Sequence, residues 1–141
     1  MLLCGLLLLG GWLVSSASAA LVPPSGQKPI VERALQFVEL LDQQQPMKAW
    51  SLTTRYFRKQ LSPQQWQRIY RNQRQRFGLP VERAFAGYRY FSTFEQAVDG
   101  LYLQVRFRTD FEAREDAIER VVMFKDFDGR WRVIGYFVEF D

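Results

Sequence analysis

Apolar side chains recur along this chain with two different periods, and the change between them falls near Pro80. From Pro29 to Asp42, the residues Ile30, Ala34, Phe37, Val38 and Leu41 return at the spacing of one helical face, and Pro29 suits the first helical turn. The stretch Gln43-Gln44-Gln45-Pro46 ends that pattern, and Pro46 opens a second helix on which Trp50, Thr54, Phe57 and Leu61 fall near one face. Ser62-Pro63-Gln64-Gln65 places Ser at the N-cap, Pro at N1 and Gln at N3, so side chains can satisfy the orphan backbone donors of a third helix. That helix runs to Phe77. Gly78 can then take the left-handed cap conformation, and Pro80 forbids continuation.

Beyond Pro80 the period becomes two. Leu101, Leu103, Val105, Phe107, Thr109 and Phe111 alternate with Tyr102, Gln104, Arg106, Arg108 and Asp110, which predicts a strand with two distinct faces. Weaker alternation covers Val81 to Phe94, and Ile118–Lys125 and Arg130–Phe140 flank Asp128-Gly129, a dipeptide suited to a hairpin turn. The expected architecture is α+β, with three N-terminal helices packed on a curved four-stranded antiparallel sheet in a cone-like roll. The last two strands are apolar on both faces: Val121 and Met123 against Ile118, Val122 and Phe124, then Trp131, Val133 and Phe137 against Ile134, Tyr136, Val138 and Phe140. A sheet with one wet face alternates more cleanly, so the second face calls for cover. A second copy of the chain or another exported protein would meet Phe124, Ile134, Val138 and Phe140 as interface candidates.

Residues 2–14 are almost continuously apolar, and small residues follow, with Ala17-Ser18-Ala19 as an A-x-A cleavage signal. An apolar run of this length rises only about 20 Å, short of a hydrocarbon core roughly 30 Å thick. Residues 1–19 are therefore expected to be a signal peptide, although no Lys or Arg precedes the apolar run. The expected location is periplasmic or secreted after cleavage between Ala19 and Ala20, and membrane-tethered if the leader is retained. Cys4 precedes most of the apolar stretch, the reverse of a lipidated cysteine. Residues 20–29, rich in Pro, Ser and Gly, read as a flexible spacer, and residues 30–141 as one α+β domain.

Composition removes whole classes of chemistry. The 141 residues include no His and one Cys, so no Ser-His-Asp triad, Cys-His pair or usual His-based metal site can form. A mature chain without Cys4 has no disulfide to rely on and must be held by packing. The net charge of +4 is unevenly spread, because residues 46–80 carry eight basic side chains and no acid. Arg68 and Arg71 could give weak contact with an anionic surface, or simply be the solvated side of an amphipathic helix opposite Trp66, Ile69, Tyr70, Gln73 and Phe77. Export argues against nucleic acid. Most of the 12 Phe, 4 Trp and 6 Tyr must fill the core. Tyr88, Tyr90, Tyr102 and Tyr136, with Arg76, Arg106 and Glu119, are the polar groups that could line a small-ligand pocket. The alternative is an ordinary outer sheet face. Glu119 is the one acid within a strongly apolar strand, a candidate for isomerase-like proton abstraction beside a tyrosine or for an ion pair with an arginine. No spacing is diagnostic of catalysis. No catalytic residue, metal ligand set or cofactor is assigned.

The ending Asp128-Gly129-Arg130-Trp131-Arg132-Val133-Ile134-Gly135-Tyr136-Phe137 resembles the D-G-x-W-R-V-x-G-Y-F close of a bacterial exported family, domain of unknown function 4019. Trp50, Ser62 to Trp66, Arg76-Phe77-Gly78 and Arg83 follow that family's pattern in order, over about residues 33 to 138. Arg120 departs from it, where Thr is expected after Glu119. The resemblance implies export and a fold similar to the nuclear-transport-factor-2-like and cystatin-like cone, which hosts both enzymes and inert binding modules. It implies no reaction.

Overall fold

A computed structural model describes residues 21–140. Of the span read as a spacer, residues 25–27 form a turn on the Pro24 carbonyl, which accepts from the amides of Gln27 and Lys28. Helix α1 follows, Lys28–Asp42, with Ile30, Val31, Ala34, Phe37, Val38 and Leu41 buried along one side. The expected second helix is two short ones, α2 (Pro46–Ser51) and α3 (Arg55–Gln60), so the described residues hold four helices rather than three.

The break has a local cause. Between the two helices the backbone straightens and joins the sheet: Val133 donates its amide to Leu52 O at 3.0 Å, and Thr54 donates to Val133 O at 2.8 Å. Thr54 then caps α3, its hydroxyl accepting from the Phe57 amide at 3.1 Å. Two adjacent β-branched threonines suit this extended, side-chain-capped geometry better than a helix interior. Periodicity runs on across the break because Ala49 and Phe57 enter the same core. Helix α4, Pro63–Phe77, has the expected capping box between Ser62 and Gln65, and ends at Gly78, whose φ of 76° favours glycine. Two hydrogen bonds dock it: Trp66 Nε1–H to Pro46 O at 2.7 Å, and the Tyr70 hydroxyl to Leu41 O at 3.0 Å.

Four antiparallel strands follow as a meander in the order β1-β2-β3-β4, with β1 Pro80–Phe91, β2 Tyr102–Phe111, β3 Arg114–Lys125 and β4 Trp131–Phe140. The helices cover one face, where Leu103, Val105, Phe107, Val121, Met123 and Val133 meet Phe37, Phe57 and Trp66. Two bulges decide which side chains share this inner face. Ala86 is the extra residue on β1, since Phe85 pairs with Phe107 and Gly87 with Arg106. Ile134 is the extra residue on β4, since Val133 pairs with Met123 and Gly135 with Val122.

The β4 bulge explains why that strand reads as apolar on both sides. It reverses the alternation partway along, so Trp131 and Val133 share the inner face with Tyr136, Val138 and Phe140, while Ile134 and Phe137 turn outward. The outward apolar residues are covered by the chain itself. Residues 92–101, between β1 and β2, fold back so that Phe94 and Ala97 pack on Tyr102, Val122, Phe124, Ile134 and Phe137.

Candidate functional site

The most concentrated chemistry in the protein is a chain of charged and polar side chains running from the inner sheet face to the helix ends. Glu119, on β3, is 0% exposed. One of its oxygens accepts from Arg83 Nε at 2.7 Å and from the Thr109 hydroxyl at 2.5 Å; the other accepts from the Tyr136 hydroxyl at 2.6 Å. Arg83 turns its remaining nitrogens to Asp42, at 2.5 and 3.2 Å. Asp42 also accepts from Arg74 at 3.2 Å, and Arg74 closes the chain on the Gly78 carbonyl at 3.2 Å.

Each participant is placed by its element. Register puts Arg83 opposite Thr109 on β1 and β2, Phe107 opposite Glu119 on β2 and β3, and Glu119 opposite Val138 on β4. Asp42 is the last residue of α1, and Arg74 lies in the last turn of α4. Burial works against the Arg83 charge, but hydrogen bonding to Asp42 and the Glu119 carboxylate outweigh it and raise its pKa above the ordinary value. Tyr136 is pushed well above the usual tyrosine range, first by burial and then by the adjacent Glu119 charge, so its hydroxyl stays a donor. Two guanidiniums and two carboxylates balance, and every Glu119 oxygen is occupied. Such a set holds elements together.

Of the seven pocket candidates, Glu119 meets Tyr136, Tyr88 meets Tyr90 edge to face at 5.9 Å between centroids, and Tyr88 and Arg106 line one trough on the outer face. Tyr88 packs at the edge of the inner core, and Tyr90, largely exposed, accepts from the Gln27 side chain at 3.2 Å. Tyr102 is buried on the opposite face, stacked on Phe91 at 5.2 Å between centroids and bound to the Val98 carbonyl. Arg106 is exposed on that same outer face, and Arg76 is exposed at the end of α4 beside Phe77. These seven residues therefore do not line one cavity. The interface candidates are divided too. Phe124 and Ile134 are buried beneath residues 92–101, and Val138 and Phe140 pack inward on Phe77, Phe111 and Ala117. The folded-back loop covers Phe124 and Ile134, and the bulge turns Val138 and Phe140 inward, where they stay partly exposed.

Asp42, Arg74, Arg83 and Thr109 are the members of the polar chain that sequence reasoning did not assign to a site. Thr109 carried a signal, as the polar residue in the apolar half of the β2 alternation. Arg83 stood out as a landmark of the family pattern with no role attached, because the bulge at Ala86 hides which face it shares. The outer face beyond the folded-back loop is open and basic, with Arg89, Gln104, Arg106 and Arg120 around a trough of about 630 Å³. A second cleft, of about 380 Å³, lies between α4 and the β2–β3 turn, lined by Tyr70, Arg71, Arg74 and Glu112 among others. Among the described residues no group of three or more metal-ligating side chains occurs, and no helix is long and apolar enough to cross a membrane. The leader and Cys4 lie outside the described residues.

The family described as "Protein of unknown function (DUF4019)" matches over residues 33–136, the first helix through the last strand. No curated protein and no solved structure matches the chain.

Proposed function

The chain belongs to the DUF4019 family of proteins of unknown function, and from that premise we propose that it is a bacterial exported, non-catalytic binding module. The observation that carries the reading is the state of Glu119. It is the one fully buried carboxylate among the described residues, and Arg83, Thr109 and Tyr136 occupy both its oxygens. A general base needs a free lone pair facing substrate. Here aromatic rings pack over Glu119 on the inner face instead, with Phe37 edge-on to Tyr136 at 5.6 Å and tilted against Trp66 at 6.0 Å. The inner face is a scaffold, and binding belongs to the outer one. In this reading the helix-then-meander order is that of a cystatin-like roll. The leader is removed near Ala19 for periplasmic or secreted residence, or retained as a tether. A second copy or another exported protein would dock on the open half of the outer face.

A small-ligand pocket is the second reading, and one observation favours it. A cleft of about 200 Å³ separates α1 from β1 and β2, lined by Val31, Leu35, Arg83, Phe85 and Phe107 among others. That volume is below the roughly 300–1,000 Å³ of ordinary small-molecule sites. A thermal-shift screen with hydrophobic small molecules decides between the two. The binding-module reading expects no stabilisation. A compound that stabilises the native chain, with the effect lost in Phe85→Trp, would establish the pocket. Cell fractionation, with the mass of the mature chain, tests export: a periplasmic product beginning at Ala20 is expected.

A further inference from the structure

The outer sheet face changes character at Gln104. On one side it is roofed by residues 92–101; on the other it carries Arg89, Arg106, Arg108 and Arg120, of which Arg108 is held by Asp116 and Arg120 by Glu139. Arg106 and Arg120 are direct cross-strand partners, and Arg89 is paired with Gln104 in the neighbouring position. Like charges directly opposite each other destabilise a sheet. One carboxylate of the trough, Glu139, pairs with Arg120. Among the described residues Arg89 and Arg106 have no carboxylate partner, and the Nε of Arg120 is enclosed with no acceptor. Glu95 lines the adjoining wall beside Arg89 and Arg120 without pairing to either, so Arg89 and Arg106 are two guanidiniums with no carboxylate in contact.

The backbone is shaped around this cluster. Gly87 follows the β1 bulge with a φ of 130°, a conformation that L side chains rarely adopt. A Cβ there would lie 3.2 Å from a terminal nitrogen of Arg106, so the missing side chain lets the guanidinium lie across β1.

The geometry points to a phosphate dianion as the ligand of this trough, bound by Arg89, Arg106 and Arg120 with Gln104 as an amide donor. A carboxylate would cancel one charge and leave the second exposed to repulsion. A phosphate group carries about −1.5 to −2 and offers three or more acceptor oxygens, which matches both the surplus charge and the forked donors. The assignment rests on the binding-module reading and gives it a ligand chemistry shared by free phosphate and lipid headgroups.

The test uses the full 141-residue chain, with sodium phosphate as probe and sodium chloride at matched ionic strength as reference. Phosphate should raise the melting temperature more than chloride does and should bind saturably in calorimetry. Arg106→Gln should weaken that binding by about tenfold or more, the scale of one hydrogen bond to a charged group. The same variant should melt higher than the native chain in phosphate-free, low-salt buffer, because the like-charge pair is gone. Arg89→Gln is the second variant and should weaken binding as well.

Equal phosphate stabilisation of the native chain and both variants, or no excess over chloride, would overturn the inference. So would loss of phosphate binding in Arg68→Gln/Arg71→Gln with the outer-face variants unaffected; that result moves the site to α4 and leaves the binding-module reading standing. The reading itself fails on a different signal, the pocket-filling compound described above. Vesicles of phosphatidylglycerol in phosphatidylcholine identify the source. Retention competed away by free phosphate assigns a headgroup, and saturation by phosphate without retention assigns a soluble ligand.

Discussion

The two faces of the sheet solve opposite electrostatic problems with the same residue types. On the inner face Arg83 sits between two carboxylates, and the buried Glu119 has its donors within 2.7 Å. On the outer face, only a strand's thickness away, Arg106 faces Arg120 and no buried acid is near. Charges removed from water must be paired in place, whereas charges left in water can wait for a partner. The lesson is that the inner arginines hold the fold, whereas Arg89 and Arg106 on the outer face are left to act on something else.

The sharpest way to break this contrast is Arg83→Met. It strands Glu119 in the core, and we expect a loss of about 3–5 kcal/mol in urea unfolding; Arg83→Lys should recover little, lacking the fork that reaches both acids. Phe124→Ala probes the apolar half of the outer face. Phe124 is 5% exposed and lies against Tyr102 at 4.9 Å between centroids, so a loss of roughly 3–5 kcal/mol is expected, reduced to the extent that residues 92–101 settle into the space. Tyr136→Phe leaves one Glu119 oxygen without its donor and should cost about 1–3 kcal/mol.

The pH dependence follows from the same hydroxyl. An unfolded tyrosine ionises near pH 10. Burial and then Glu119 raise the folded value well above this, so the protonated form is the favoured one. Its contribution is therefore whole below about pH 10 and is lost as pH rises towards the folded value. Tyr102, raised by burial and then by Asp99, moves the same way. Chemical denaturation between pH 8 and 11 should show stability falling once the pH passes about 10, and Tyr136→Phe should flatten part of that slope. The smallest effect is expected at the helix break: Thr54→Ala removes the cap on α3 and should cost about 1 kcal/mol.

What could be read in advance was local. The capping box at Ser62, the glycine after Phe77 and the turn at Gly129 each act over a few residues, so the sequence announces them directly. The α+β order and the β2 alternation were legible for the same reason. The helix break at Thr53 was not, because its cause is a strand at Val133, far along the chain. The partners of Glu119 were hidden similarly: Arg83 is 36 positions away, and the bulge at Ala86 uncouples sequence parity from face. At β4 the bulge at Ile134 made one inward set look like two surfaces, which is how Val138 and Phe140 came to be read with Ile134.

The polar chain also bears on how the molecule comes apart. Every strand pair joins neighbours in sequence, an arrangement that by itself would let the sheet unravel hairpin by hairpin from either end. Asp42 and Tyr136 stand near opposite ends of the described polypeptide, yet Arg83 and Glu119 connect them. Peeling away the first helix or the last strand exposes the same buried charge, so fraying at one terminus is penalised at the other. In described residues that contain no cysteine, the two ends of the meander are thus tied by charge rather than by a covalent crosslink.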